Sequence, residues 1–277
     1  MASPVLQTYS VNNASTNTVN VTKPTGLSVG DLLLALVGGT ADSGSPAIDT
    51  PSGWTKSADN SNNSVCSAIL WKIADSSDAA ASNFTFSHSG GGSSFAIYAV
   101  LSRITGHSST APISGAQCTH NTTTFNVSPQ VTDALLLLGG AKKVSGGSGW
   151  SGYTISGSNP TWTEIADNGG GLYMGVAWAV GNSTATITSA DAVESGSNDR
   201  QRFLVAVAAT TDASVTLDVV PIASTVNDLG LRSDNAVTLD AIALTASVQN
   251  PTVTTPTSDT TNTTKNAGAN IINTSKS

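Results

Sequence analysis

The sequence predicts an all-β protein made of antiparallel strands. Three observations carry that expectation: a composition suited to strands and turns, apolar residues at every second position, and an internal repeat that keeps the alternation in phase. Charged residues are 10% and apolar residues 39% of the 277 positions, where an ordinary soluble domain carries about 25% charged residues. Much of the rest is Ser, Thr, Asn and Gly, which suit turns and the solvent face of strands and weaken helices. No long window is rich in Ala, Leu, Glu, Lys and Arg together, which excludes a helical bundle.

The repeat is the strongest signal. Gly30-Asp31-Leu32-Leu33-Leu34 is echoed by Thr132-Asp133-Ala134-Leu135-Leu136, Trp54-Thr55 by Trp162-Thr163, and Ala58-Asp59-Asn60 by Ala166-Asp167-Asn168. Residues 65–73 and 172–180 then align without a gap at an offset of 107. Val65, Ser67, Ile69, Trp71 and Ile73 match Leu172, Met174, Val176, Trp178 and Val180. That spacing of two puts each set on one face of a strand. Residues 95–100 and 203–208 give the last match. These runs are short, rich in β-branched and aromatic residues, and bounded by Gly, Asn and Ser clusters, as strands are.

Each half holds about five such strands, too few to bury an apolar face alone, so the halves are expected to share one core. Residues 1–211 are therefore read as one duplicated antiparallel two-sheet sandwich of jelly-roll type, with half-repeats of about 1–108 and 109–211. Two small sandwiches in tandem are the alternative; the lack of a linker-like stretch near residue 110 speaks against them.

A shorter repeat begins after residue 211. Ser214-Val215-Thr216-Leu217-Asp218 recurs as Ala236-Val237-Thr238-Leu239-Asp240, a period of 22, and each copy runs into an alternating apolar segment. Residues 212–250 read as an extended β arm with too few residues for a core of its own. Its apolar positions Val215, Leu217, Ile222, Val237, Leu239, Ile242 and Leu244 need cover from elsewhere. Residues 251–277 form a polar Thr/Asn-rich tail with the composition of disorder.

Several function classes are disfavoured. With a net charge of −7, a pI near 4.6 and scattered Lys and Arg, no basic face for nucleic acid is expected. The longest aliphatic runs, residues 32–37 and 134–138, are far short of the roughly 20 residues of a membrane helix. The N-terminus shows no basic start and no apolar h-region, so no secretory signal is expected. The two cysteines, Cys66 and Cys118, are too few for a disulfide scaffold and read as buried free thiols, a bridge between them being the alternative.

Candidates for chemistry are sparse. The three histidines, His88, His107 and His120, lie in no metal-ligand spacing and read as exposed turn residues. The chain has two glutamates, and only Glu164 sits by a tryptophan, Trp162. Because Trp162 is echoed by Trp54, whose neighbour at the corresponding position is Lys56, this pairing reads as structural rather than as a glycosidase site. Residues 59–64 begin like a calcium loop but lack its glycine and glutamate, and read as an Asn-rich turn. No catalytic residue, metal or cofactor is therefore expected. Trp71 and Trp178 read as core. Trp150, with Tyr153 nearby, lies in a Gly/Ser loop without a counterpart in the first half. It is either an exposed platform for a glycan or a partner subunit, or a rim residue folded back onto its own sheet.

The ordered set Val29-Gly30-Asp31-Leu32-Leu33-Leu34, Pro51-Ser52-Gly53-Trp54-Thr55, Ile69-Leu70-Trp71-Lys72-Ile73-Ala74, Phe84-Thr85-Phe86, Ile104-Thr105-Gly106 and Pro112-Ile113 carries a family resemblance, answered by Val131-Thr132-Asp133-Ala134-Leu135-Leu136-Leu137. It resembles the jelly-roll-like domain of virion structural proteins of tailed bacteriophages, and the arm is similar to C-terminal repeats of phage minor structural and tail proteins. The resemblance implies a virion component of decoration, fibre or tail type, localised to the particle. Its partners would be other copies of itself and other virion proteins. A carbohydrate-binding surface module, or a receptor-binding tail fibre contacting a host-surface glycan, is the alternative.

Overall fold

A computed structural model describes residues 3–93, 95–143, 150–168, 172–193 and 199–210. The arm and tail, with all the apolar arm positions named above, lie outside the described residues, as does the second of the two units into which the chain divides, Leu217–Ser277.

The first half contains β1 (Val5–Ala14), β2 (Thr18–Thr22), β3 (Leu32–Ala41), β4 (Ala47–Ile48), β5 (Thr55–Asn62), β6 (Val65–Ile73), a one-turn helix α1 (Ser76–Ala80), β7 (Asn83–Ser89) and β8 (Phe95–Thr105). The second contains β9 (Ile113–His120), β10 (Thr124–Val127), β11 (Leu135–Lys143), β12 (Ser151–Ile155), β13 (Thr163–Asn168), β14 (Leu172–Val180), β15 (Ile187–Val193) and β16 (Arg200–Val207). The all-β class and the antiparallel pairing agree with the sequence. α1 is held by Asp75, whose side chain caps the backbone N–H groups of Ser77 and Asp78.

The strands form four sheets. In the first half a five-stranded sheet runs β1-β8-β3-β6-β5 and a three-stranded sheet β2-β7-β4. In the second the orders are β13-β14-β11-β16-β9 and β10-β15-β12. Counting β9 as the first strand of its half, both halves have one strand order.

The sandwich expected from sequence had two sheets and about five strands per half. The described residues form four sheets, with eight strands in each half. The reason lies in β3 and β11. All ten residues of β3, Leu-Leu-Leu-Ala-Leu-Val-Gly-Gly-Thr-Ala, are buried. A strand apolar on both faces needs a layer on each side. Leu32, Leu34 and Leu36 face the other half, where they meet Leu135, Leu137, Val176, Phe203 and Val205 in one cluster shared by both five-stranded sheets. Leu33, Ala35 and Val37 face outward to Val19, Val21, Ile48 and Phe86 of the small sheet. Leu136 and Leu138 do the same in the second half, beneath Phe125, Val127 and Ile187.

Ladder registers place the repeat in space. Trp71 lies opposite Leu34 and Thr55; Trp178 lies opposite Leu137 and Thr163. Both tryptophans are half-buried at the margin of the shared core rather than fully enclosed, and Trp71 Nε1 donates to Ser57 Oγ at 2.9 Å. Gly38 and Ala141 occupy equivalent places, opposite Ser67 and Met174. They meet where the halves touch: a β-carbon on Gly38 would stand 2.6 Å from the Ala141 β-carbon.

Candidate functional site

Of the two readings of Trp150 and Tyr153, the structure supports the one folded back onto its own sheet. Trp150 is 1% and Tyr153 8% exposed, so neither offers the platform that the other reading required. The indole fills space left by two glycines, since β-carbons on Gly140 and Gly175 would stand 2.4 and 2.3 Å from Trp150 atoms. The buried Lys142 ammonium lies 5.9 Å from the centroid of the Trp150 ring. Tyr153 stacks at a tilt on Trp162, centroids 6.3 Å apart. Burial raises the Tyr153 phenol well above its ordinary range, and the charges of Glu164 and Asp167 add to this. Trp54, the counterpart of Trp162, packs edge-on against Phe84 and Phe86 of its own half. Both members of that duplicated pair therefore serve packing. Glu164 is exposed, and partial desolvation with the nearby Asp167 charge raises its carboxyl.

The histidines are not exposed turn residues. His88 belongs to the alternation of β7, in which Phe84, Phe86 and His88 all point into the outer core. Its ring stands edge-on to Phe95 at 5.3 Å and against Gly39. Neither ring nitrogen makes a hydrogen bond of good geometry, and burial lowers the pKa of the imidazole. His107, in the link between the halves, places Nδ1 2.9 Å from the Ser108 carbonyl and Nε2 3.0 Å from the Gly30 carbonyl. His120 Nε2 meets Asp199 at 2.9 Å. Cys66 and Cys118 are free and buried. The remaining buried charges are paired: Arg103 with Asp31 at 2.6 Å, Lys72 with Asp78 at 2.7 Å, and Arg202 with Asp191 at 2.7 Å. Among the described residues no group of three or more His, Cys, Asp or Glu is placed to hold a metal ion. No helix among them is long and apolar enough to cross a membrane.

Two surface features remain. One is a groove of about 170 Å³ in the second half, with hydroxyl and amide groups of Ser156, Ser158, Asn182 and Thr188 above Leu136 and Ile187. Its polar groups largely satisfy one another, as in the Asn182 Nδ2 to Ser158 Oγ bond of 2.8 Å.

The other is β1. Of the five large apolar side chains exposed among the described residues, three, Val5 (46%), Tyr9 (44%) and Val11 (43%), lie on this strand; the other two are Val29 and Val180. β1 pairs on one side only, with β8, and its register is unbroken from Thr8 to Ala14. The strand Val-Leu-Gln-Thr-Tyr-Ser-Val-Asn-Asn-Ala carries no charge and no proline. Two other sheet edges carry charge: β5 has the Lys56–Asp59 ion pair, and β13 has Glu164 and Asp167. Both are bulged, as β1 is between Leu6 and Thr8. β9, the counterpart of β1, packs against β5, whereas β1 makes no comparable contact with β13. The sequence signal for this surface was present in the apolar spacing of Tyr9 and Val11, but an edge strand cannot be told from a paired one before the topology is known.

No family model, no curated protein and no solved structure matches the chain.

Proposed function

We propose that the chain is a structural protein of a tailed-bacteriophage virion, on the exterior of the capsid or tail, acting through assembly rather than catalysis. The observation that carries this reading is the strand order. In each half the large sheet runs first-eighth-third-sixth and the small sheet second-seventh-fourth. This order resembles that of a jelly roll, an architecture used by viral capsid and lectin domains, with the fifth strand paired to the sixth. Doubling such a unit through a shared core supports a rigid building block. The sequence resemblance to phage virion domains points the same way, and the uncharged edge of β1 supplies a surface suited to assembly. Mass spectrometry of purified phage particles tests the reading: the protein is expected among the virion components, and its absence from every particle overturns it.

The hydroxyl-lined groove favours a second reading, a carbohydrate-binding module or receptor-binding fibre. With Trp150 buried, this reading rests on Ser156, Ser158 and Asn182. Specific glycan binding that is lost in Asn182→Ala would support it.

A further inference from the structure

We propose that the free edge of β1 accepts an added strand, and that this strand comes from residues 213–250 of a second copy of the chain. The proposal rests on the assembly reading and names its surface and its partner.

Three observations converge on β1. First, its exposed apolar face continues an interface already built. Leu6, Tyr9 and Val11 lie opposite Ile104, Ser102 and Val100, whose side chains point toward the second half. Leu6 packs on the shared core, while Tyr9 and Val11 extend the same face past its rim. The equivalent strand β9 has Ile113, Ala116 and Cys118 in that core, under cover of β5. The fold therefore already covers this face once with a copy of itself and leaves it bare once.

Second, the edge is fit for pairing. It has no like charges to repel an incoming strand, no proline, and a continuous register over Thr8 to Ala14. Main-chain hydrogen bonds would give affinity, and alternate side chains would meet Tyr9 and Val11.

Third, the chain itself carries the complementary element. The described chain ends at Thr210, whose N–H bonds to the Gly106 carbonyl at 3.1 Å. Gly106 lies against Ser3 and Pro4, the lead into β1. Sixty-seven residues follow, 211–277, so reach is no obstacle at roughly 3.3 Å per extended residue. Two copies brought together at their β1 edges would each release this segment beside the other's acceptor. Val215, Leu217 and Val219, and again Val237, Leu239 and Ala241, supply alternating apolar positions.

The test uses full-length chains: wild type, an acceptor variant Tyr9→Lys/Val11→Lys, and a donor variant Leu217→Lys/Leu239→Lys. Light scattering should find wild type oligomeric and each variant monomeric but still melting in one cooperative transition. Mixing the two variants should restore a complex, since one brings an intact donor and the other an intact acceptor. Amide exchange in residues 5–14 should be at least about tenfold slower in the wild-type oligomer than in the variants. If the lysine variants do not fold, exchange of wild type across a dilution series decides instead: protection of β1 should be lost as the oligomer dissociates. An acceptor variant that assembles like wild type overturns the proposal. So does a monomeric wild type, whether β1 is bare or covered by its own chain, and so does a donor variant that stays oligomeric through β1 pairing with β1. Absence from particles, by contrast, would remove the virion reading and leave these results standing.

Discussion

Trp150 lies directly on Gly175: a β-carbon at that glycine would stand 2.3 Å from the Trp150 β-carbon. Gly175 is paired across the ladder with Gly140, whose own β-carbon would meet the far edge of the same indole at 2.4 Å. The corresponding pair in the first half is Val37 with Ala68, both with side chains in the outer core. The second half thus replaces two small aliphatic side chains with one large ring brought in from a loop. Trp150→Ala should cost about 3–5 kcal/mol, the usual range for removing a buried tryptophan. Gly175→Ala should cost about 1–3 kcal/mol through overpacking. The triple change Trp150→Ala, Gly140→Val, Gly175→Ala rebuilds the first-half solution and should recover part of the loss. Urea unfolding of the four proteins checks the order, and a triple variant no more stable than Trp150→Ala would refute the exchange.

Gly38 faces Ala141 at the point where the two halves come together, with 2.6 Å left for a β-carbon. The halves approach this closely because one of two equivalent positions is glycine. Gly38→Leu should force the five-stranded sheets apart and destabilise the fold by more than the about 1–3 kcal/mol of ordinary overpacking. Substitution at Gly30, where a β-carbon meets nothing within 4 Å but φ is +91°, is the control for backbone strain without collision. Gly38→Leu should lose cooperativity in thermal unfolding and bind a hydrophobic dye, while Gly30→Ala should lose stability alone.

His88 is buried beside Phe95 and Gly39, and desolvation lowers its pKa from 6.5 despite the Asp49 carboxylate nearby. Asp49 is held on the strand side by the Ser87 and Ser89 hydroxyls, at 2.8 and 2.7 Å. In the unfolded chain the imidazole takes up a proton as pH falls through 6.5; in the folded chain it does so only at lower pH. The unfolded state therefore binds more protons in that window, and stability falls as pH drops below 6.5. Well above pH 6.5 the imidazole is neutral in both states and this pH dependence vanishes. Asp75, whose carboxyl is lowered to about 2 chiefly by the Ser77 hydroxyl, gives up its contribution in a separate window, between 3.8 and 2. Replacing His88 by Leu should flatten the slope just below pH 6.5 and leave the more acidic one. Equal slopes in both proteins would show that His88 is not the group responsible.

The fold class and the duplication were legible because alternation is a local property. Trp71 and Trp178 stand at matching ladder positions, as their sequence spacing implies. The number of layers was also written in the sequence, in the continuous runs Leu32-Leu33-Leu34-Ala35-Leu36-Val37 and Leu135-Leu136-Leu137-Leu138, but these runs look the same in a short buried helix as in a strand covered on both faces. The weakest strands escaped notice: β4 has two residues and β10 four. Trp150 could not be placed from its Gly/Ser loop, because the cavity that takes it is made by Gly140 and Gly175, ten residues before it and twenty-five after it. His88 looked like a turn residue because Ser89-Gly90-Gly91-Gly92 follows it, yet its phase with Phe84 and Phe86 was the better guide.

The two thiols give a direct probe of the shared core. Burial pushes both Cys66 and Cys118 up to about 12. Cys66 lies in the outer core of the first half and Cys118 in the core between the halves. A thiol at about 12 is almost wholly protonated at neutral pH, and the thiolate is the reactive form. The native protein should therefore leave both cysteines unmodified by a disulfide reagent, and the denatured protein should react at both. In partial denaturant the order of labelling reports which core opens first. Cys118 becomes accessible when the five-stranded sheets separate; Cys66 requires the small sheet β2-β7-β4 to lift from its partner. If the halves come apart before either sandwich melts, Cys118 should label at lower urea than Cys66, as mass spectrometry of quenched samples would reveal. Simultaneous labelling would mean that the halves and their sandwiches unfold as one cooperative unit.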